Sequence, residues 1–168
     1  MQKYEEVITK IVIGKGKKKY VDTYTLSPNE KPSNVLGCWV INHNFTSERV
    51  SEDVVVRGSY DINVWYSHND NTETKSISKR FNYQESIKIK YNDKETIGDD
   101  INVYVRVITE PNALNCQVEG NEIITELEKE FGADLVSECK VRVRTEDMVE
   151  NWPEEEEIDN IDTDYLSK

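Results

Sequence analysis

Alanine is almost missing from this chain, with two residues in 168, and leucine is scarce at six, against eighteen valines and fifteen isoleucines. Alanine is the best helix former, and β-branched side chains lose rotamer freedom in a helix, so this shortage argues against a helical protein. Nine tyrosines and eleven threonines push the same way, because both pack well on a pleated surface. Positive charge is scarce too. The 21 basic side chains face 33 acidic ones, a formal net charge of −12, which repels phosphate and argues against nucleic acid or anionic lipid as the main partner. No apolar run reaches the roughly 18 residues of a membrane span, so the expectation is a soluble protein without direct membrane insertion. The opening residues, Met1 to Glu6, lack the charged, apolar, small order of a secretory leader.

The residues of known chemistries are equally thin. The two histidines, His43 and His68, have no C-x-x-C or H-E-x-x-H partner spacing beside them. His43 reads as a packed or edge residue on an apolar strand face, and His68 as an exposed residue at a turn. Gly14-Lys15-Gly16-Lys17 has too few residues between its glycines for a Walker loop, and no Ser or Thr follows the lysine. It reads instead as a solvated basic hairpin tip, with Lys15, Lys17, Lys18 and Lys19 as a basic patch. Asp93, Glu95, Asp99 and Asp100 lack the spacing of a calcium loop and read as a solvated cluster. Three cysteines, Cys38, Cys116 and Cys139, are odd in number and far apart, so no complete set of disulfides within the chain is expected. They read as small buried hydrophobes, with crosslinking between molecules as the alternative. No enzyme, metal or cofactor is expected.

What the chain has in quantity is alternation. Val54, Val56, Gly58, Tyr60, Ile62, Val64 and Tyr66 fall on one side of a run over 53–68, and Ile101, Val103, Val105, Val107 and Thr109 repeat the pattern. Shorter runs align Tyr20, Tyr24 and Leu26, then Trp39, Ile41, His43 and Phe45, then Val141 and Val143. Period two is the mark of half-buried antiparallel strands. Residues 122–132 fit either period, and the local Ile-Ile-Thr favours a strand. Turn chemistry falls at Ser27 to Pro32, at His68-Asn69-Asp70-Asn71 ahead of polar strands over 72–83 and 85–91, at Pro111-Asn112 and at Glu119-Gly120-Asn121. The expected fold is all-β: an antiparallel β-sandwich or open barrel of about eight to ten strands.

Charge divides the chain. Residues 146–168 hold ten carboxylates and one lysine, a net of −9, which leaves −3 to residues 1–145. Such a like-charged run buries too little apolar surface to offset the entropy of ordering. The expectation is a β-rich body over 1–145 and a flexible acidic tail over 146–168. Trp152, Ile158, Ile161, Tyr165 and Leu166 are set among acids that include Glu154, Glu155, Glu156 and Glu157. An acidic segment with spaced apolar anchors suits docking into a basic groove, with a solubilising extension as the plainer reading. The basic patch has the opposite sign and so also suits the tail of a neighbouring molecule.

Two long runs resemble a known family. Lys31-Pro32-Ser33-Asn34-Val35-Leu36-Gly37-Cys38-Trp39-Val40-Ile41-Asn42-His43 is similar to the signature of the outer spore coat morphogenetic protein CotE family. Gly58-Ser59-Tyr60-Asp61-Ile62-Asn63-Val64-Trp65-Tyr66-Ser67, followed by Asp70-Asn71-Thr72, resembles its second signature. Pro111-Asn112 ahead of Cys116, the stretch Val136 to Val141, and an acidic end closing on Tyr165-Leu166 also fit. The resemblance implies a non-enzymatic scaffold that surrounds the developing spore in the mother-cell cytoplasm, becomes part of the coat, assembles with itself and recruits outer coat proteins. It supplies no catalytic residues. Edge strands, or faces bearing Trp39, Trp65 and Tyr66, would then serve as repeated contacts, although both tryptophans read first as core residues. The alternative function is a ligand- or carbohydrate-binding β-sandwich module.

Overall fold

The computed structural model describes residues 3–92 and 96–145. They form seven strands and no helix: β1 (Lys3–Leu26), β2 (Pro32–Val50), β3 (Asp53–His68), β4 (Glu73–Ile87), β5 (Lys90–Tyr91), β6 (Thr96–Glu119) and β7 (Glu122–Thr145). Two antiparallel sheets result, one ordered β5-β1-β7-β6 and the other β2-β3-β4. The all-β expectation holds, and the sheets do not close into a barrel. The strands are fewer and longer than expected because runs that read as separate pieces are continuous, above all 3–26 and 73–87. The ends of β1 and β7, residues 3–7 and 141–145, form a small unit of their own. Within it Arg142 Nε donates to Glu6 Oε1 at 3.3 Å and the Thr145 hydroxyl donates to the Lys3 carbonyl at 3.2 Å.

In the larger unit, residues 8–140, the inner faces of the two sheets share one core. Leu26 from β1, Tyr60, Ile62, Val64 and Tyr66 from β3, and Ile123 and Leu127 from β7 form its centre. The alternation of β3 is realised in full: Val54, Val56, Tyr60, Ile62 and Val64 are completely buried. Each such Val or Ile removes enough apolar surface from water to contribute roughly 1.5–3 kcal/mol. β7 is the longest inward-facing ladder. Ile123, Thr125, Leu127, Lys129, Phe131, Ala133, Leu135, Ser137 and Cys139, every second residue, are all buried, so the strand reading of 122–132 is correct.

Short polar residues make the connections. Asn69, Asp70 and Asn71, all at positive φ, turn β3 into β4, where the small polar side chains of Asn and Asp tolerate the left-handed region. Gly120 at φ 64° and Asn121 turn β6 into β7. Pro111 does not break the chain: β6 runs through it at a register shift between Thr109 and Asn112, the sort of place where a strand admits proline.

The Gly14-Lys15-Gly16-Lys17 tip is absent, because β1 passes straight through it. The glycines are there for proximity. A Cβ on Gly14 would collide with Ile89, and one on Gly16 with the Lys88 carbonyl and Ile87, so segment 87–91 lies directly against β1 at that point. A second correction concerns 38–45. The pairing of β2 with β3 slips between Ile41 and Asn44, with Asn42 at φ 55°. A one-residue slip reverses the faces. Trp39 and Ile41 therefore point outward, while His43 and Phe45 turn toward the core.

Candidate interaction surfaces

The outer face of the β2-β3-β4 sheet carries the clearest surface feature. Trp39 is 52% exposed and Trp65 44%, so neither is the core residue expected of it. The Trp39 indole folds back over Gly37, the residue directly opposite Trp65, so a side chain at position 37 would push the indole aside. Both indoles thus occupy one end of the face, with Ile41 exposed beside them and the Arg80–Asp61 ion pair, Nε to Oδ1 2.8 Å, just beyond. Further along, Asn44, Arg57, Ser59, Asn82, Tyr83 and Gln84 line an open depression of 570 Å³. Edges are also available. Among the described residues β4 pairs only with β3, leaving backbone groups of the kind that recruit another chain, whereas the outermost strands β2 and β6 run close against each other.

Lys15, Lys17, Lys18 and Lys19 all lie exposed along β1 rather than on a hairpin. Lys19 is committed to Glu128, Nζ to Oε2 2.9 Å, and the Lys18 ammonium lies 5.0 Å from the centre of the Tyr20 ring. Lys15 faces Lys90 directly across the β1–β5 pair, a residue sequence reasoning did not include. Like charges directly opposite one another destabilise a strand pair. Lysines on an edge also protect it against unwanted pairing.

Inside the sandwich lies a polar cluster that sequence reasoning missed. Lys129, fully buried on β7, is held by Asp22 of β1 and by Glu85 of β4, the latter at 2.9 Å, and sits 4.7 Å from the centre of the Tyr83 ring. Burial pulls the Lys129 pKa down, but the hydrogen bonds and charges of Asp22 and Glu85 outweigh it, and the net shift is upward. The available signal was a lone lysine at a period-two position among apolar ones. Beside it, Glu110 Oε2 lies 3.3 Å from His43 Nδ1, and His43 Nε2 lies 2.6 Å from the Tyr83 hydroxyl. A carboxylate–imidazole–hydroxyl chain has the order of a catalytic triad. Here, however, burial first, and then Glu85 and Glu110, push the Tyr83 phenol well above its usual pKa. The chain ties β2, β4 and β6 together through His43. His68 is likewise less open than expected, with a side chain only 13% exposed and Nδ1 3.6 Å from Glu73. Among the described residues no three His, Cys, Asp or Glu side chains are grouped to hold a metal ion, and Asp93 and Glu95 lie outside those residues.

The three cysteines differ. Cys139 is completely buried, and its thiol donates to the Ser137 carbonyl at 3.8 Å. Cys38 of β2 and Cys116 of β6 are half-buried and pack on the central cluster. The two thiols are near enough to influence each other, and Cys116 Sγ lies 3.2 Å from Thr125 Oγ1. Trp152, Glu154, Glu155, Glu156, Glu157, Ile158, Ile161, Tyr165 and Leu166 lie outside the described residues.

The model of the family "Outer spore coat protein E (CotE)" matches residues 3–168. The chain belongs to the CotE family. The match runs through the two signature segments on β2 and β3, so the slipped register that turns Trp39 outward lies within family sequence. Membership makes this an outer spore coat protein of a structural family. No curated protein and no solved structure matches the chain. None of its described helices is long and apolar enough to cross a membrane, since the described residues contain none.

Proposed function

We propose that this CotE-family protein is a non-enzymatic scaffold whose copies assemble around the developing spore in the mother cell and recruit further outer coat proteins. Residues 1–145 supply the assembling body, and the acidic residues 146–168 supply the recruiting segment. The observation that carries the reading is the pair of exposed indoles, Trp39 and Trp65, at one end of a sheet whose outer strand β4 is paired on one side only. Large exposed aromatics cost solvation in a monomer and are enriched where proteins meet. Identical contacts repeated in every subunit give rings or lattices according to their geometry, and many weak contacts act together because each further attachment is effectively intramolecular.

Light scattering of the full-length protein tests this. The native chain is expected to form particles far larger than 19.5 kDa, and Trp39→Ser with Trp65→Ser to shift the population toward single chains without changing the melting temperature. A native chain that stays monomeric at every concentration and salt level would overturn the assembly reading. A second reading rests on the depression lined by Asn44, Arg57, Ser59, Asn82, Tyr83 and Gln84: amide and hydroxyl groups around an aromatic ring suit a sugar. Retardation of a monomer in a gel containing soluble polysaccharide would favour that reading.

A further inference from the structure

The two sheets are joined by packing, and no backbone ladder links β2 to β6. On that side β2 runs close against β6, and one thiol projects from each strand. Cys38 belongs to the outermost strand of the three-stranded sheet and Cys116 to the outermost strand of the four-stranded sheet. Thr125 Oγ1 lies 3.2 Å from Cys116 Sγ, and Cys38 is close enough to interact with both Cys116 and Thr125. Both cysteines pack against the one cluster centred on Leu26, Tyr60 and Ile123, and both are half-buried rather than enclosed. Cys139 does not compete, being fully enclosed.

We propose that Cys38 and Cys116 are a modification site: an oxidisable pair that closes into an intramolecular disulfide and staples the two sheets together. The oxidant is a small disulfide such as glutathione disulfide. Cys116, as thiolate, attacks one sulfur of the reagent, forming a mixed disulfide and releasing one glutathione thiolate. Cys38 then loses its proton to solvent and attacks Cys116 Sγ, expelling the second glutathione thiolate. Two protein thiols are oxidised and one glutathione disulfide is reduced to two glutathione thiols, so electrons balance. The order follows from the surroundings. Interaction with Cys38, and then with Thr125, pulls the Cys116 thiol down against the effect of burial, whereas the same neighbour and burial raise Cys38. Cys116 is therefore the attacking sulfur near neutral pH.

The bond closes a loop of about 80 residues, for which the chain-entropy model predicts a rise in melting temperature on the order of 10 °C. It also turns an interface held by side-chain packing into a covalent one, and it consumes the two thiols that would otherwise be open to crosslinking between molecules.

The test incubates reduced full-length protein with glutathione disulfide, blocks remaining thiols under denaturing conditions, and maps peptides by mass spectrometry. The expected result is a Cys38–Cys116 linked peptide from a chain that migrates as a single polypeptide on a non-reducing gel, a melting temperature raised by roughly 10 °C and reversed by dithiothreitol, and Cys139 recovered as a blocked thiol. Cys139→Ser should behave like the native chain, which keeps the test independent of whether Cys38 or Cys116 variants fold. In Cys38→Ser, glutathione should accumulate on Cys116 as a stable mixed disulfide. Linkage found only between chains, or three blockable thiols after prolonged oxidation, would overturn the proposal.

Discussion

Lys129 shows how one side chain is shaped by opposing terms. A lysine ammonium in an apolar interior is costly, and it persists here because Asp22 and Glu85 approach from two other strands while aromatic faces of Tyr20, Tyr60 and Tyr83 surround it. Removing one member of a buried ion cluster leaves the others uncompensated. Lys129→Ala is therefore expected to destabilise the fold by about 3–5 kcal/mol in urea denaturation, and adding Glu85→Gln should recover part of that loss, because it removes the stranded charge. No recovery would mean that volume rather than charge dominates the site. Glu30 makes a different case at the surface. Hydrogen bonds from Lys75, then from Tyr66, hold its carboxyl down to about 2. A depressed acid contributes stability that is fully present above its unfolded value near 4.5 and is lost as pH falls toward 2. Thermal melts between pH 5 and pH 2 should show a shallower decline for Glu30→Gln than for the native chain; parallel curves would show that Glu30 contributes nothing to the acid limb.

At the scale of the strand, legibility depends on whether a side chain's partner is written nearby. β3 and β7 could be read because alternation is local: Tyr60, Ile62 and Val64, or Ile123, Leu127 and Phe131, announce their face by spacing alone. The outward turn of Trp39 could not. It depends on the slip between Ile41 and Asn44 relative to β3, which leaves no mark in composition and places four residues that share a parity on two different faces. The glycines at 14 and 16 misled for a related reason. Gly-Lys-Gly-Lys has the chemistry of a turn, and what demands glycine is segment 87–91, distant in sequence. The Cys38–Cys116 pair is of the same kind: 78 positions separate its members, and only the folding of β6 against β2 joins them. Asn42 at φ 55°, whose side-chain amide donates to Asp61 at 2.8 Å, holds the slip in place. Asn42→Gly should cost little, since glycine accepts this backbone, whereas Asn42→Val should lower stability by roughly 1–3 kcal/mol. Equal costs for the two, measured by chemical denaturation, would show that the backbone conformation at 42 does not secure the register.

For the whole molecule the governing fact is where charge resides. Residues 146–168 hold −9 of the net −12, while β1 displays Lys15, Lys17 and Lys18 with Lys90 opposite Lys15. Three lysines on β1 and one on the paired β5 repel each other, and an acidic segment from a neighbouring copy would relieve that repulsion; attraction of this exposed kind is screened beyond about 8 Å at physiological salt. The tryptophan face, in contrast, gains from burial and not from charge. Two contributions to assembly should therefore separate with ionic strength. A chain ending at Thr145 is expected to retain its melting temperature and its salt-insensitive association through Trp39 and Trp65, and to lose the fraction of particle growth that full-length protein shows at 50 mM salt but not at about 500 mM, where the Debye length is only a few ångströms. Lys15→Glu with Lys17→Glu in the full-length chain should reproduce that loss, since the same attraction is cancelled from the other side. If the shortened chain kept the full salt response, the acidic residues would not be meeting this strand, and their charge would act on other proteins alone.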